Sequence, residues 1–189
     1  MPDIDIDFAD RTKALEKFKH VTAILETDKK HNTGIYCTSI PYNPITGLST
    51  VDYKSAEDRG YFKIDLLNVS VYEGVRNKEH LTQLMETEPL WDLLLQDDFT
   101  NLLFHVNGHG YLMRQMKPTS IEELAMCLAL IRPAKKNLIG QTWIEIGQTI
   151  WTKPENGDYY FKKAHAIAYA HVIVVQMNLI CEGISYGFS

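Results

Sequence analysis

An α+β fold is what this sequence predicts, on three observations. The first eight residues alternate Ile4, Ile6 and Phe8 against Asp3, Asp5 and Asp7, the period of two expected of a strand with one buried and one acidic face. Tyr61 to Val69 repeats that alternation, with Phe62, Ile64 and Leu66 on one side and Lys63 and Asp65 on the other. Elsewhere apolar residues fall at helical spacing, most clearly Ile121, Leu124, Ala125, Leu128 and Ile131 behind the capping-box pattern of Ser120 and Glu123.

The remaining elements follow in order. Ala14, Leu15, Phe18, Val21, Ile24 and Leu25 predict one helix from Asp10, its cap, to Leu25, ending in the polar run Thr27 to Asn32. Gly34 to Ile40 is β-rich and runs into a turn over Pro41 to Gly47. Val51 and Tyr53 suggest a short strand before the polar stretch Lys54 to Gly60. Helix is expected over Val71 to Arg76 and Glu79 to Met85, with a further turn or two over Pro89 to Leu95. The helix behind Ser120 should stop at Arg132-Pro133, since a residue before proline disfavours the helical region. Lys153 to Asp158 reads as a loop. Ala164 to Ile180, apolar almost all round, reads as a buried helix packing Ile167, Ala168, His171, Val172, Val175 and Leu179 on the sheet.

Composition narrows the class. With 189 residues, 45% of them hydrophobic, the chain can bury a core without a disulfide or a structural metal. Cys37, Cys127 and Cys181 are widely spaced and odd in number, so neither a disulfide framework nor a zinc ribbon is supported. No uninterrupted apolar run reaches a membrane span and no basic, apolar leader is evident, so a soluble, cytoplasmic protein without membrane contact is expected. The net charge of −5 gives no hint of nucleic acid.

Chemistry is concentrated in the acidic strand. Carboxylates at alternate positions lie about 7 Å apart on one face, and their mutual repulsion is relieved by a cation. Hard oxygen ligands of this kind suit Mg²⁺ held jointly with substrate phosphates; a solvated acidic edge strand is the alternative. A third carboxylate on a neighbouring strand would complete the arrangement that holds two metal ions about 4 Å apart for in-line phosphoryl transfer. Lys63-Ile64-Asp65 is the candidate for that strand, and Lys63 could pair with Asp65 or with a phosphate.

These residues carry a family resemblance. Pro2-Asp3-Ile4-Asp5-Ile6-Asp7-Phe8 resembles the P-D-x-D-x-D-F signature of bacterial family C replicative DNA polymerases, the DNA polymerase III alpha subunit. In the same order, His31 to Ile35 resembles the family's H-x-x-G stretch, and Tyr61 to Leu67 its K-x-D-x-L-G strand. Leu103 to Gly110 is loosely similar to F-Q-x-E-S-x-G. Ala129 to Pro133 is similar to A-L-x-R-P-G, and Phe161 to Ala170 to F-N-K-S-H-x-x-A-Y-A.

The resemblance implies a polymerase-β-like nucleotidyltransferase palm, a mixed sheet with helices on one face and a helical extension. It implies one palm-like catalytic domain over residues 1–189, with reduced fingers elements at about 100–160. Asp3, Asp5 and Asp65 would be the catalytic and metal-binding carboxylates for two Mg²⁺ ions, with Asp7 a less general ligand. Lys63, Arg132, Lys163 and His165 would face deoxynucleotide triphosphate and primer-template DNA; ion pairs for the cations and a core hydrogen bond for His165 are the alternatives. Local pairs such as Lys135-Lys136 and Lys162-Lys163 would grip DNA or be simply solvated.

The sequence also departs from the family. Asn68 and Ala134 stand where it has glycine, His105 replaces Gln and Asn107 replaces Glu. The triphosphate-holding Gly-Ser loop, which precedes the acidic signature in the family, is missing, as are the editing domain, the clamp-binding region and most of the thumb. The expectation is a split polymerase, perhaps of phage type, completed by a second polypeptide and inactive alone, with the strand at Pro2 leaving a sheet edge open to that partner. A non-catalytic assembly or regulatory subunit is the runner-up, and a metal-dependent nuclease comes third.

Overall fold

The computed structural model describes residues 4–155 and 158–185, apart from the side chains of Ile4, Asp5, Ile184 and Ser185. The chain divides into two compact units, Met1–Glu73 and Gly74–Ser189. The fold class is α+β, with a mixed five-stranded sheet and helices.

The first unit holds β1 (Ile4–Phe8), α1 (Arg11–Leu15), β2 (Val21–Ile24), β3 (Lys30–Tyr36), β4 (Leu48–Asp52), α2 (Tyr53–Asp58) and β5 (Ile64–Asn68). Its strands lie in the order β1-β5-β3-β2-β4, which makes β1 an edge strand. The β1–β5 and β2–β4 pairs are parallel, the β2–β3 and β3–β5 pairs antiparallel. Both faces are covered in part: Ala23, Tyr36, Ile40, Val51 and Ala56 form one cluster, while Ile35 and Leu66 are also buried. Full burial of an aliphatic side chain such as Ile35 contributes about 1.5–3 kcal/mol.

Several elements differ from the sequence expectation. The helix expected over Asp10 to Leu25 ends at Leu15, and Val21 to Ile24 is a strand. Asp10 does cap α1, its carboxylate accepting from the Lys13 N–H at 3.1 Å. Val21 and Thr22 are β-branched, and β2 finds partners on both sides, in β3 and β4, which local periodicity does not register. The polar run after it is a tight turn: Asp28 takes a left-handed φ of 58°, and β3 already begins at Lys30. Tyr53 is helical, not extended, because Asp52 accepts from the N–H groups of Lys54 and Ser55 and so starts α2. The stretch around Val71 is a 3-10 turn, Ser70–Gly74, as is Trp91–Leu95.

The second unit is helical within the described residues. It comprises α3 (Lys78–Glu86), α4 (Asp97–Thr100), α5 (Gly110–Met116), α6 (Ile121–Leu130), α7 (Trp143–Thr149) and α8 (Lys163–Ser185). Ser120 caps α6 as expected, accepting from the Glu123 N–H at 3.2 Å, but the Glu123 carboxylate closes on Thr119 one residue earlier. The complete capping box is the one between Thr142 and Glu145 that opens α7.

In its own unit helix α8 packs chiefly on α6 and also on α3, burying Ala166, Ala170, Ile173, Val174 and Met177 in a helical core with Leu124, Leu128 and Met113. His80 on α3, accepting the Arg76 N–H at 3.1 Å through Nδ1, turns its Nε2 to Glu182 of α8 at 3.0 Å. By length and composition α8 also meets the criterion for a membrane span.

Candidate active site

The acidic strand and the K-x-D strand are neighbours. β1 and β5 pair in parallel with Asp5 directly opposite Asp65 and Asp7 opposite Leu67. Neighbouring strands lie about 4.8 Å apart, so the backbones of Asp5 and Asp65 share one register position. Asp3, the remaining member of the expected metal set, lies outside the described residues. Asp7 is exposed and sits close enough to Tyr72 to raise the phenol's pKa, after the larger effect of burial.

Asp65 is buried, and each of its oxygens has a partner. Its Oδ1 accepts from Thr33 Oγ1 at 2.8 Å, and its Oδ2 is paired with the Lys63 ammonium. His31 approaches Oδ1 to 3.8 Å through Nδ1, yet this is no ion pair. Nδ1 accepts the Gly34 N–H at 2.9 Å and the Thr33 N–H at 3.3 Å, which leaves the ring proton on Nε2. Burial, followed by the positive charge of Lys63, pulls the His31 pKa below its ordinary value against the opposing pull of Asp65. The ring edge stands against Tyr53 at 5.6 Å between centroids.

Gly34 makes this packing possible. A Cβ there would fall 2.9 Å from Lys63 Cδ, 3.0 Å from His31 Nδ1 and 3.1 Å from Ala23 Cβ. Arg11 supplies a second cation: its Nη2 donates to the Thr33 carbonyl at 3.3 Å, and its Nε is buried without a protein partner among the described residues. Asn68 has a local task, accepting the Arg11 backbone N–H through Oδ1 at 2.9 Å. The Tyr36 hydroxyl is also buried without a partner among the described residues; desolvation, then the charges of Asp52, Asp65 and Glu57, push its pKa up to about 12.

Sequence reasoning singled out Asp5, Asp65 and Lys63, and missed the roles of Thr33, Arg11 and Tyr36. The H-x-x-G stretch was the available signal: a short-range turn in which a histidine accepts N–H groups two and three residues on.

Arg132, Lys163 and His165 belong to the second unit. The Arg132 guanidinium lies 4.7 Å from the Phe161 ring centroid and 5.7 Å from that of Tyr159. Its Nε is buried and unpartnered among the described residues. Lys163 is exposed at the start of α8, beside a hollow lined by Glu122, Trp143 and Trp151; His165 is half-buried and engaged. His105 holds a left-handed φ of 61° among the rings of Phe104, Phe161 and Tyr169. Lys135 is not available to DNA as one of a solvated pair. It is buried, and its ammonium donates to the Thr149 carbonyl at 2.6 Å and to Thr152 Oγ1 at 3.1 Å, satisfying the end of α7.

Among the described residues no three His, Cys, Asp or Glu side chains converge on a common metal position. No protein-family model matches the chain, no curated protein is significantly similar to it, and no solved structure is significantly similar to its fold.

Proposed function

We propose that this chain is the palm portion of a DNA-directed DNA polymerase of the family C type, carrying the carboxylates for nucleotidyl transfer and completed by a second polypeptide. The observation that supports it is the parallel, in-register pairing of Asp5 with Asp65 on neighbouring strands. Two acidic residues at one register position would repel each other unless a cation lay between them. The donor set fits Mg²⁺: carboxylate oxygens are the ligands it prefers, and each Asp65 oxygen has a lone pair beyond its present partner. Asp3, Asp5 and Asp65 would hold it, and the metal would supply Lewis acidity toward a primer hydroxyl and a triphosphate.

In this reading Thr33 orients Asp65, and Lys63 is the cation nearest the reacting phosphates. Deoxynucleotide triphosphates and primer-template DNA are the substrates. The Gly-Ser loop for the triphosphate would come from the partner, whose strand could add to the β1 edge.

A non-catalytic assembly subunit is the second reading, favoured by one observation: Asp65 is already neutralised internally by Lys63. Primer extension with Mg²⁺ and all four deoxynucleotides, by the chain alone and with the product of the neighbouring gene, separates the two. The polymerase reading expects extension in the complex, abolished by Asp5→Asn and by Asp65→Asn. Extension that survives both substitutions, or a folded complex that never extends a primer, removes it.

A further inference from the structure

We propose that the second unit carries a docking groove for an amphipathic helix of a partner polypeptide, about three turns long, with one apolar stripe and Lys or Arg side chains on its flanks. The groove lies beside the seam of α6 and α8 and owes nothing to the carboxylates of the sheet.

Two hollows, of about 230 and 290 Å³, follow one another along that seam. Ile121 of α6 shares the first with Val174 of α8, and Met126 shares the second with Ile167. Rising numbers on one helix meet falling numbers on the other, so the helices run antiparallel here and the groove follows their length. Glu122 lines both hollows and joins them. From Lys163 at one end to Val174 at the other, α8 advances eleven residues, about 16 Å along its axis. Three turns of a docked helix have that length.

All three tryptophans of the chain line this groove, Trp91 in the first hollow and Trp143 and Trp151 in the second. Each is half-buried and packs in part on the helical core. The Trp91 Nε1 donates to the Glu88 carboxylate, which holds that indole in place before a partner arrives. Beside the indoles two more apolar side chains stand open, Met85 at 41% and Ile144 at 79% exposure. Aromatic anchors in concave, apolar surroundings carry most of the energy of protein interfaces. An amphipathic helix supplies apolar residues at every third or fourth position, the spacing that a groove of this length receives.

Charge selects which helix. Glu86, Glu88 and Glu122 line the groove against a single lining cation, Lys163, and none of the four forms an ion pair among the described residues. That acidic excess repels phosphate-bearing partners such as nucleic acid or an anionic membrane. Lys and Arg on a helix flank meet it with the complementary charge, while their stems cover apolar surface.

The test uses the full chain and its intrinsic fluorescence, since every tryptophan lines the groove. The probe is a tryptophan-free amphipathic peptide of Leu and Lys, about 14 residues long so that it can form a helix. A scrambled Leu/Lys peptide and an amphipathic Leu/Glu peptide are its controls. The Leu/Lys helix should shift the emission to shorter wavelength in a saturable way, and both controls should bind at least about tenfold more weakly. Ile144→Ser and Glu122→Lys change exposed positions and should each weaken the Leu/Lys helix about tenfold. Asp58→Lys, the same charge change at an exposed position of the first unit, should leave its binding unaltered. Absence of a saturable shift, equal binding of the scrambled peptide, or a loss as large in Asp58→Lys as in Glu122→Lys overturns the proposal. So does a shift produced by phosphatidylcholine vesicles and not by the peptide, which would assign the groove to a lipid surface.

Discussion

Gly34 and Lys63 are in such close approach that a single methyl group on residue 34 would fall 2.9 Å from Lys63 Cδ. The same methyl would meet His31 Nδ1 and Ala23 Cβ at 3.0 and 3.1 Å, on two further sides. Lys63 can bend away, but His31 is tied to the backbone N–H of Gly34 itself. Gly34→Ala should therefore destabilise the first unit by about 1–3 kcal/mol, the usual cost of overpacking. Chemical denaturation measures it; a change under about 0.5 kcal/mol would show that the neighbours relax freely.

Thr33 should matter through its hydroxyl. Thr33→Val keeps the shape but removes the donor to Asp65 Oδ1, a hydrogen bond to a charged group worth about 1.5–3 kcal/mol. Thr33→Ser keeps the donor and should recover most of that loss. Thr33→Ser losing as much stability as Thr33→Val would show that the hydroxyl donor does not by itself account for the effect.

Three histidines give the stability a common pH dependence. Burial pulls the pKa values of His31, His105 and His109 below the ordinary 6.5, helped by the nearby cations Lys63, Arg132 and Lys136. The unfolded chain therefore takes up these protons at a higher pH than the folded one. Their stability contribution is fully present above 6.5 and is lost as pH falls through the folded pKa values. Urea unfolding between about pH 5 and 8 should show decline only below that value, with the three imidazoles titrating there by NMR. A folded-state titration above 6.5 for any of them contradicts the burial account.

In the second unit, Asn178 ties α8 to the end of α3. Its Nδ2 donates to the carbonyls of Leu84 and Thr87 at 2.8 and 2.9 Å, and the residue is buried. Asn178→Ala leaves both acceptors without this donor and should cost about 2 kcal/mol. Asn178→Asp should cost more, since a carboxylate would face two carbonyl oxygens. Thermal denaturation that ranks Asp above Ala would refute this role.

The capped helix α6, its stop at Arg132-Pro133 and the alternating strands β1 and β5 were legible in the sequence by itself, because capping, proline geometry and side-chain period are local properties. Asp5, Asp65 and Lys63 could be singled out for the same reason. The sequence could not show that β1 and β5 would be parallel neighbours in the register that sets Asp5 opposite Asp65, since strand pairing is chosen by contacts some 60 residues apart along the chain. Nor could it show that Val21 to Ile24 would leave a helical pattern to join two strands, or that Lys135 would turn inward to the carbonyl of Thr149. In each case tertiary contacts outweighed a local preference of less than about 1 kcal/mol per residue. The pairing of Lys63 with Asp65 lay between the two: the period of two puts both on one face, and only burial beside Gly34 and Thr33 makes each the other's partner.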